Sequence, residues 1–212
     1  MKKKNKLVLA KRSTLLADSV TLDYFEKTRQ LKEMGKYVYE FTHGQFPYKP
    51  ASFFIENIYK ELNFLSSFQY SPVSGIEELR KKFLHIKEND RDISLDALEC
   101  NVHHGGKQAL FNALACLIDK GDEVILLTPI WPSYLEMIKF LEGVPLLVPA
   151  TSHGGFIPSI SEIEKLITDK TKAIIVNSPN NPAGVHYNEA WMRDFAQMVA
   201  EYPQIFLISD EV

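Results

Sequence analysis

Only two of the 212 residues are cysteines, Cys100 and Cys116, and neither has the spacing of a zinc site or a redox pair. A disulfide scaffold and a thiolate metal centre are therefore excluded, and both thiols are expected to be reduced core residues, Cys100 opening a strand and Cys116 inside a buried helix. Long apolar runs are lacking too. Nothing approaches the ~20 residues of a membrane-spanning helix, and the apolar stretch 7–10 behind the basic run 1–6 is too short for a signal-peptide core. The expected location is the cytoplasm. Charge of one sign is also missing: 24 Lys and Arg face 27 Asp and Glu, a net charge of -3. Nothing there calls for nucleic acid, and the basic start reads as a solvated terminus. Neither Gly-x-Gly-x-x-Gly nor Gly-x-x-x-x-Gly-Lys-Ser/Thr occurs, which weakens a dinucleotide or nucleoside-triphosphate reading. Repeats, low-complexity segments and long linkers are absent.

What the chain does have is 45% hydrophobic content, enough for one good core or for one domain and a fragment of another. Phe54, Ile55, Ile58, Tyr59, Leu62 and Leu65 recur at helical spacing behind Pro50 and predict an amphipathic helix over 51–65. Ser74-x-x-Glu77 reads as a capping box opening a second helix, with Ile76, Leu79, Phe83 and Ile86 on one face. From residue 99 the pattern alternates. Strands are predicted at 99–103, 123–127, 145–148, 172–176 and 205–209, and helices at 107–118, 133–141, 160–168 and 189–201. Helix 107–118 is apolar nearly all round and is expected to lie inside. The alternation predicts an α/β fold of three layers, α/β/α, around a mainly parallel sheet.

In such a sheet, ligands sit outside the carboxyl ends of the strands. Asn177-Ser178-Pro179-Asn180-Asn181-Pro182-Ala183-Gly184 is a loop stiffened by Asn and Pro at that end of one strand, although loops of this composition are usually plain turns. Gly105-Gly106-Lys107 joins the predicted strand 99–103 to a helix. Glycines there let the backbone approach an anion, and the free amides and helix dipole favour a phosphate, yet Gly-Gly before a helix is often only a turn. Asp210 follows the apolar run Ile205-Phe206-Leu207-Ile208, where burying its charge would be costly without a partner. A helix cap or a solvated aspartate is the plainer reading. His103-His104 would point to opposite faces of a strand and cannot chelate a metal together, so no metal site is expected.

The loop 177–184 resembles the Asn-Pro-Thr-Gly loop of the class I, fold type I aminotransferases, with Ala183 in place of threonine. Gly105-Gly106-Lys107-Gln108, Trp131 and Ser209-Asp210-Glu211-Val212 match that family in its order. The stretch 105–131 resembles the bacterial-type aspartate aminotransferase branch. The resemblance implies a pyridoxal 5'-phosphate enzyme that moves an amino group from an aspartate-like, aromatic or aliphatic amino acid to a 2-oxo acid, with a sheet of the PLP-dependent transferase large-domain type. It implies that Gly105, Gly106 and Lys107 hold the cofactor phosphate and Trp131 stacks on the pyridine ring. By the same resemblance Asn181 bonds the 3'-oxygen, and Asp210 keeps the ring nitrogen protonated. Gly44, Trp131 and Asn181 would face substrate, and Tyr70 would reach the phosphate of the partner subunit in a homodimer. Gln45-Phe46 departs from the family's Glu-Pro after that glycine. The Schiff-base lysine of the family lies beyond the Asp210 segment, and Lys107, Lys165, Lys170 and Lys172 do not match its motif.

The expectation is the N-terminal half of an aminotransferase, inactive alone, with 1–47 as N-terminal arm and part of the small domain and 48–212 as the first part of the large one. Its sheet would be incomplete at the C-terminus, leaving the strand at 205–208 as an exposed apolar edge. Alternatives are a non-catalytic PLP-binding or dimerisation fragment, or a related PLP lyase.

Overall fold

The structure, a computed structural model, describes residues 8–16, 20–41, 44, 47–91 and 99–211. It divides into two compact units, one formed by Met1–Ala17 with Lys107–Val212 and the other by Asp18–Gly106.

The first unit holds an all-parallel sheet of β1 (Glu123–Leu127), β2 (Val144–Val148), β3 (Thr171–Asn177) and β4 (Phe206–Asp210), in the order β2-β1-β3-β4. Strands buried on both faces read as unbroken apolar runs, and β1 and β3 do. Side chains alternate across the sheet. Val124, Leu126, Ala173 and Ile175 pack beneath α4 (Gly106–Leu117) and α5 (Pro132–Phe140), through Leu110, Leu114, Met137 and Ile138. On the opposite face, Ile125, Leu127, Ile174 and Val176 meet Ile163 of α6 (Ile160–Glu164) and Phe195 and Met198 of α7 (Glu189–Ala200). These are the three layers expected from the alternation. Asn188 caps α7, its side-chain oxygen accepting from the Trp191 amide at 2.9 Å. The apolar edge expected at 205–208 is present in part: Ile205 is buried, whereas Phe206 and Leu207 of β4 are 54% and 43% exposed.

In the second unit, α1 (Val20–Glu33), α2 (Ser52–Glu61) and α3 (Glu77–Arg91) are joined by loops and a 3-10 turn at Leu65–Phe68. Helix α2 stops short of residue 65. The expected capping box at Ser74 does not form. Pro72 accepts from the Gly75 amide, Gly75 turns at φ 93°, and the first carbonyl of α3 is that of Ile76, which accepts from Arg80. Ser74 uses its own carbonyl to accept from Val102, so Glu77 opens the helix instead of sitting in its third position.

Three further expectations are corrected. Residues 99–103 are not a strand: no described strand pairs with them, and their polar groups turn to Ser74 and to the Arg80 guanidinium, which donates to Cys100 at 3.3 Å. Cys100 is buried there without opening a strand. Helix α4 is not wholly inside. It buries Leu110 and Leu114, while Ala113, Ala115 and Cys116 are exposed, because the sheet covers one side of it. Helix α6 ends at Glu164, and turns carry the chain from there to β3. Among the described residues no helix is long and apolar enough to cross a membrane.

Candidate active site

The parallel register sets Asn177, the last residue of β3, beside Asp210, the last of β4. Both stand at the carboxyl edge of the sheet. Asn177 is buried and divides its amide between two neighbours. Its Nδ2 donates to the Asp210 carbonyl at 2.9 Å, and its Oδ1 accepts from the Asn181 amide at 2.8 Å. The loop beyond is held from within. Asn180, also buried, donates to the Pro129 carbonyl at 3.2 Å and accepts from the Ala183 amide at 3.0 Å, and its main chain bonds Val185 and Gly184. Ser178 Oγ accepts from Tyr187 at 3.0 Å. Asn180 thus shapes the loop, and the side chain of Asn181 is left exposed.

Asp210 is half-buried and its Oδ2 accepts a hydrogen bond from the Tyr134 hydroxyl. The partner that offsets the cost of its partial burial is a neutral phenol. Tyr134 lies in the first turn of α5, which Pro132 opens with a φ suited to a helix start. Burial first, and then the bond to Asp210, push the tyrosine's ionisation well above its ordinary range. The ring of Tyr134 stands edge-on to that of Trp131, with centroids 5.5 Å apart and planes at 86°. Lys107 Nζ lies over the Trp131 ring, 4.6 Å from its centroid. The first unit therefore brings together Lys107, Trp131, Asn181 and Asp210. Tyr134, not singled out in the sequence, and Asn177, read there only as part of the loop 177–184, provide the links. The signal for Asn177 was its place directly after the predicted strand 172–176, whereas no local pattern singles out Tyr134.

Gly105, Gly106, Gly44 and Tyr70 belong to the second unit. Gly105 adopts φ 85° and donates to the His103 carbonyl at 2.8 Å, and Gly106 is the first residue of α4, whose opening turn carries no acid. A Cβ at either glycine would meet open space. The same holds at Gly44, whose neighbours Thr42, His43, Gln45 and Phe46 lie outside the described residues, as do residues 1–7 and Val212. Tyr70 is fully exposed and lines an open hollow with Ser67, Phe68 and Gln69. Among the described residues no three His, Cys, Asp or Glu side chains are grouped to hold a metal ion. The first unit by itself offers a flat aromatic face and an oriented carboxylate.

Residues 36–212 match the family of aminotransferases class I and II. The aspartate/prephenate aminotransferase of Thermus thermophilus is 34% identical over 204 residues, covering 96% of this chain and 52% of that protein. The aspartate aminotransferase of Bacillus subtilis is 32% identical over 204 residues, covering 96% of this chain and 51% of its own length. In structure, the Thermus thermophilus aspartate aminotransferase with maleate superposes with a TM-score of 0.90 at 33% identity, over 98% of this chain and 54% of that one. The chain spans about half the length of these relatives.

Proposed function

We infer, since this chain belongs to the class I and II aminotransferases, that the whole protein is a pyridoxal phosphate-dependent aminotransferase moving an amino group from an amino acid to a 2-oxo acid. The observation that carries the reading is Asp210 at the carboxyl edge of the sheet, its carboxylate held by the Tyr134 hydroxyl and its main-chain carbonyl by Asn177, within the unit that also presents the Trp131 face. These residues fit a phosphorylated pyridine. The indole face already accepts a cation, and the open space around Gly105 and Gly106 suits an oxyanion at a helix start free of acids.

When bound, the cofactor supplies a ring that withdraws electrons from the substrate's α-carbon. The chain's own residues have separate tasks in this reading. Gly105, Gly106 and Lys107 hold the phosphate, Trp131 stacks on the ring, and the Asn181 side chain donates to the 3'-oxygen. Asp210 keeps a proton on the ring nitrogen by offering Oδ1 as its acceptor. Gly44 lines the substrate site with its backbone, and Tyr70 reaches the partner subunit of a homodimer in the cytoplasm. The Schiff-base lysine is not among these 212 residues, and the chain alone is inactive in this reading.

The test is made on the protein from the full reading frame, by the absorbance of bound pyridoxal phosphate and by half-transamination with single amino acids. Absence of both would overturn the reading, and product analysis separates a transaminase from a PLP lyase. A second reading, a non-catalytic PLP-binding or dimerisation fragment, is favoured by the exposed Phe206 and Leu207 on β4. Borohydride reduction in the presence of the cofactor discriminates, since a permanent adduct on a lysine of this chain would rule it out.

A further inference from the structure

Granted the pyridoxal phosphate reading on which it rests, we infer that Tyr134 is a positioning residue that sets two of the cofactor ring's contacts at once, the Asp210 carboxylate and the Trp131 face. The two lie on separate elements, Trp131 at the N-cap of α5 and Asp210 at the end of β4. Tyr134 touches both, through its hydroxyl and through its ring.

Asn177 holds Asp210 by the main chain, which fixes the position of the residue and leaves two side-chain torsions to orient the carboxylate. The Tyr134 hydroxyl removes that freedom. With Oδ2 taken, Oδ1 has one direction in which to accept a proton donor. The choice of donor matters chemically. An ammonium or guanidinium at this place would orient the carboxylate and also neutralise it, whereas a phenol orients it and leaves its charge for the ring nitrogen. Burial of Tyr134, 2% exposed among Leu110, Met137 and Ile138, keeps the phenol in its protonated, donating form. The same burial makes its ring a fixed wall, so the perpendicular contact holds the plane of Trp131.

Two substitutions separate the two tasks in the protein from the full reading frame. Tyr134→Phe keeps the ring and removes the hydroxyl. It lowers kcat by about ten- to a hundredfold, the worth of a hydrogen bond to a charged group, with KM and cofactor affinity changed only a few-fold. Tyr134→Leu removes both contacts and in addition weakens pyridoxal phosphate binding and changes the Trp131 fluorescence of the cofactor-free protein. A cofactor-free readout stands beside these. In alkaline difference spectra Tyr134 belongs to the tyrosines of the wild-type protein that ionise late, with Tyr187 and Tyr202; that late signal shrinks by one tyrosine in Tyr134→Phe, and one tyrosine of it moves to lower pH in Asp210→Asn. Should Tyr134→Phe not fold, the comparison of wild type with Asp210→Asn decides. A wild-type protein that binds cofactor and turns over, while Tyr134→Phe matches it in kcat or Asp210→Asn leaves the late-ionising tyrosines unmoved, would overturn this inference alone. A wild-type protein that does not bind pyridoxal phosphate would overturn the cofactor reading and this inference with it.

Discussion

The two units treat their apolar residues in opposite ways. In the first, β1 and β3 are buried on both faces beneath α4, α5, α6 and α7. In the second, α2 and α3 carry apolar stripes of similar strength, yet Phe54, Ile58, Leu62, Ile76, Leu79, Phe83 and Ile86 are exposed and, among its described residues, only Thr28, Leu84 and Cys100 are buried. A parallel sheet supplies its own cover, because each crossover that returns the chain to the same edge lays a helix on a face. An amphipathic helix has no such guarantee. Its stripe states only that a partner surface exists.

That contrast can be broken by experiment. Phe195 is fully buried and stacked on Trp191, with centroids 4.9 Å apart, so Phe195→Ala is expected to cost about 3–5 kcal/mol in urea unfolding. A loss below about 1 kcal/mol would place the first unit's core on the same footing as the second unit's surface. At the end of that core, Asp210→Ala in the protein from the full reading frame is expected to lower kcat about a hundredfold while cofactor still binds, and Asp210→Glu to recover part of it. Near-normal transamination by a folded Asp210→Ala protein would remove Asp210 from the site.

Tyr134 sharpens the comparison through pH. Its folded-state ionisation lies above the ordinary value of 10.0, so its contribution to stability is complete below that value and is lost as pH climbs toward the folded one. One proton is linked, so the slope is at most about 1.4 kcal/mol per pH unit. Unfolding followed upward from pH 9 or so should show this slope in the wild type and a shallower one in Tyr134→Phe. Asn188→Ala removes the cap of α7 and is expected to cost about 1 kcal/mol in the same urea assay. The smallest effect is expected in the second unit, where Ile58→Ser on α2 should change stability by no more than about 0.5 kcal/mol.

The same contrast separates the features that local sequence signals specify from those that they do not. The strand at 123–127 and the helix opening at 189 were legible to the residue, because unbroken apolar runs and an Asn cap are local signals. Residues 99–103 have the composition of a strand, but a strand is defined by its neighbour, and these residues bond Ser74 and Arg80 instead. Ser74 failed as a capping box for a related reason, since Gly75 turns at positive φ and starts α3 later. Within the site, the loop 177–184 was legible as a turn stiffened by Asn and Pro. Tyr134 was not, because its partner Asp210 is 76 residues away and no local pattern announces such a bond.

The divided amide of Asn177 has a consequence for how substitutions combine. One planar group fixes both the end of β4 and the entry to the loop that carries Asn181. Positions 181 and 210 are therefore not independent variables. A displacement at either is passed to the other through a rigid link two hydrogen bonds long, and changes made at both should fall short of, or exceed, the sum of the single effects. Asn177→Ala should abolish that interaction energy, so that the two positions become additive only when the amide between them is gone.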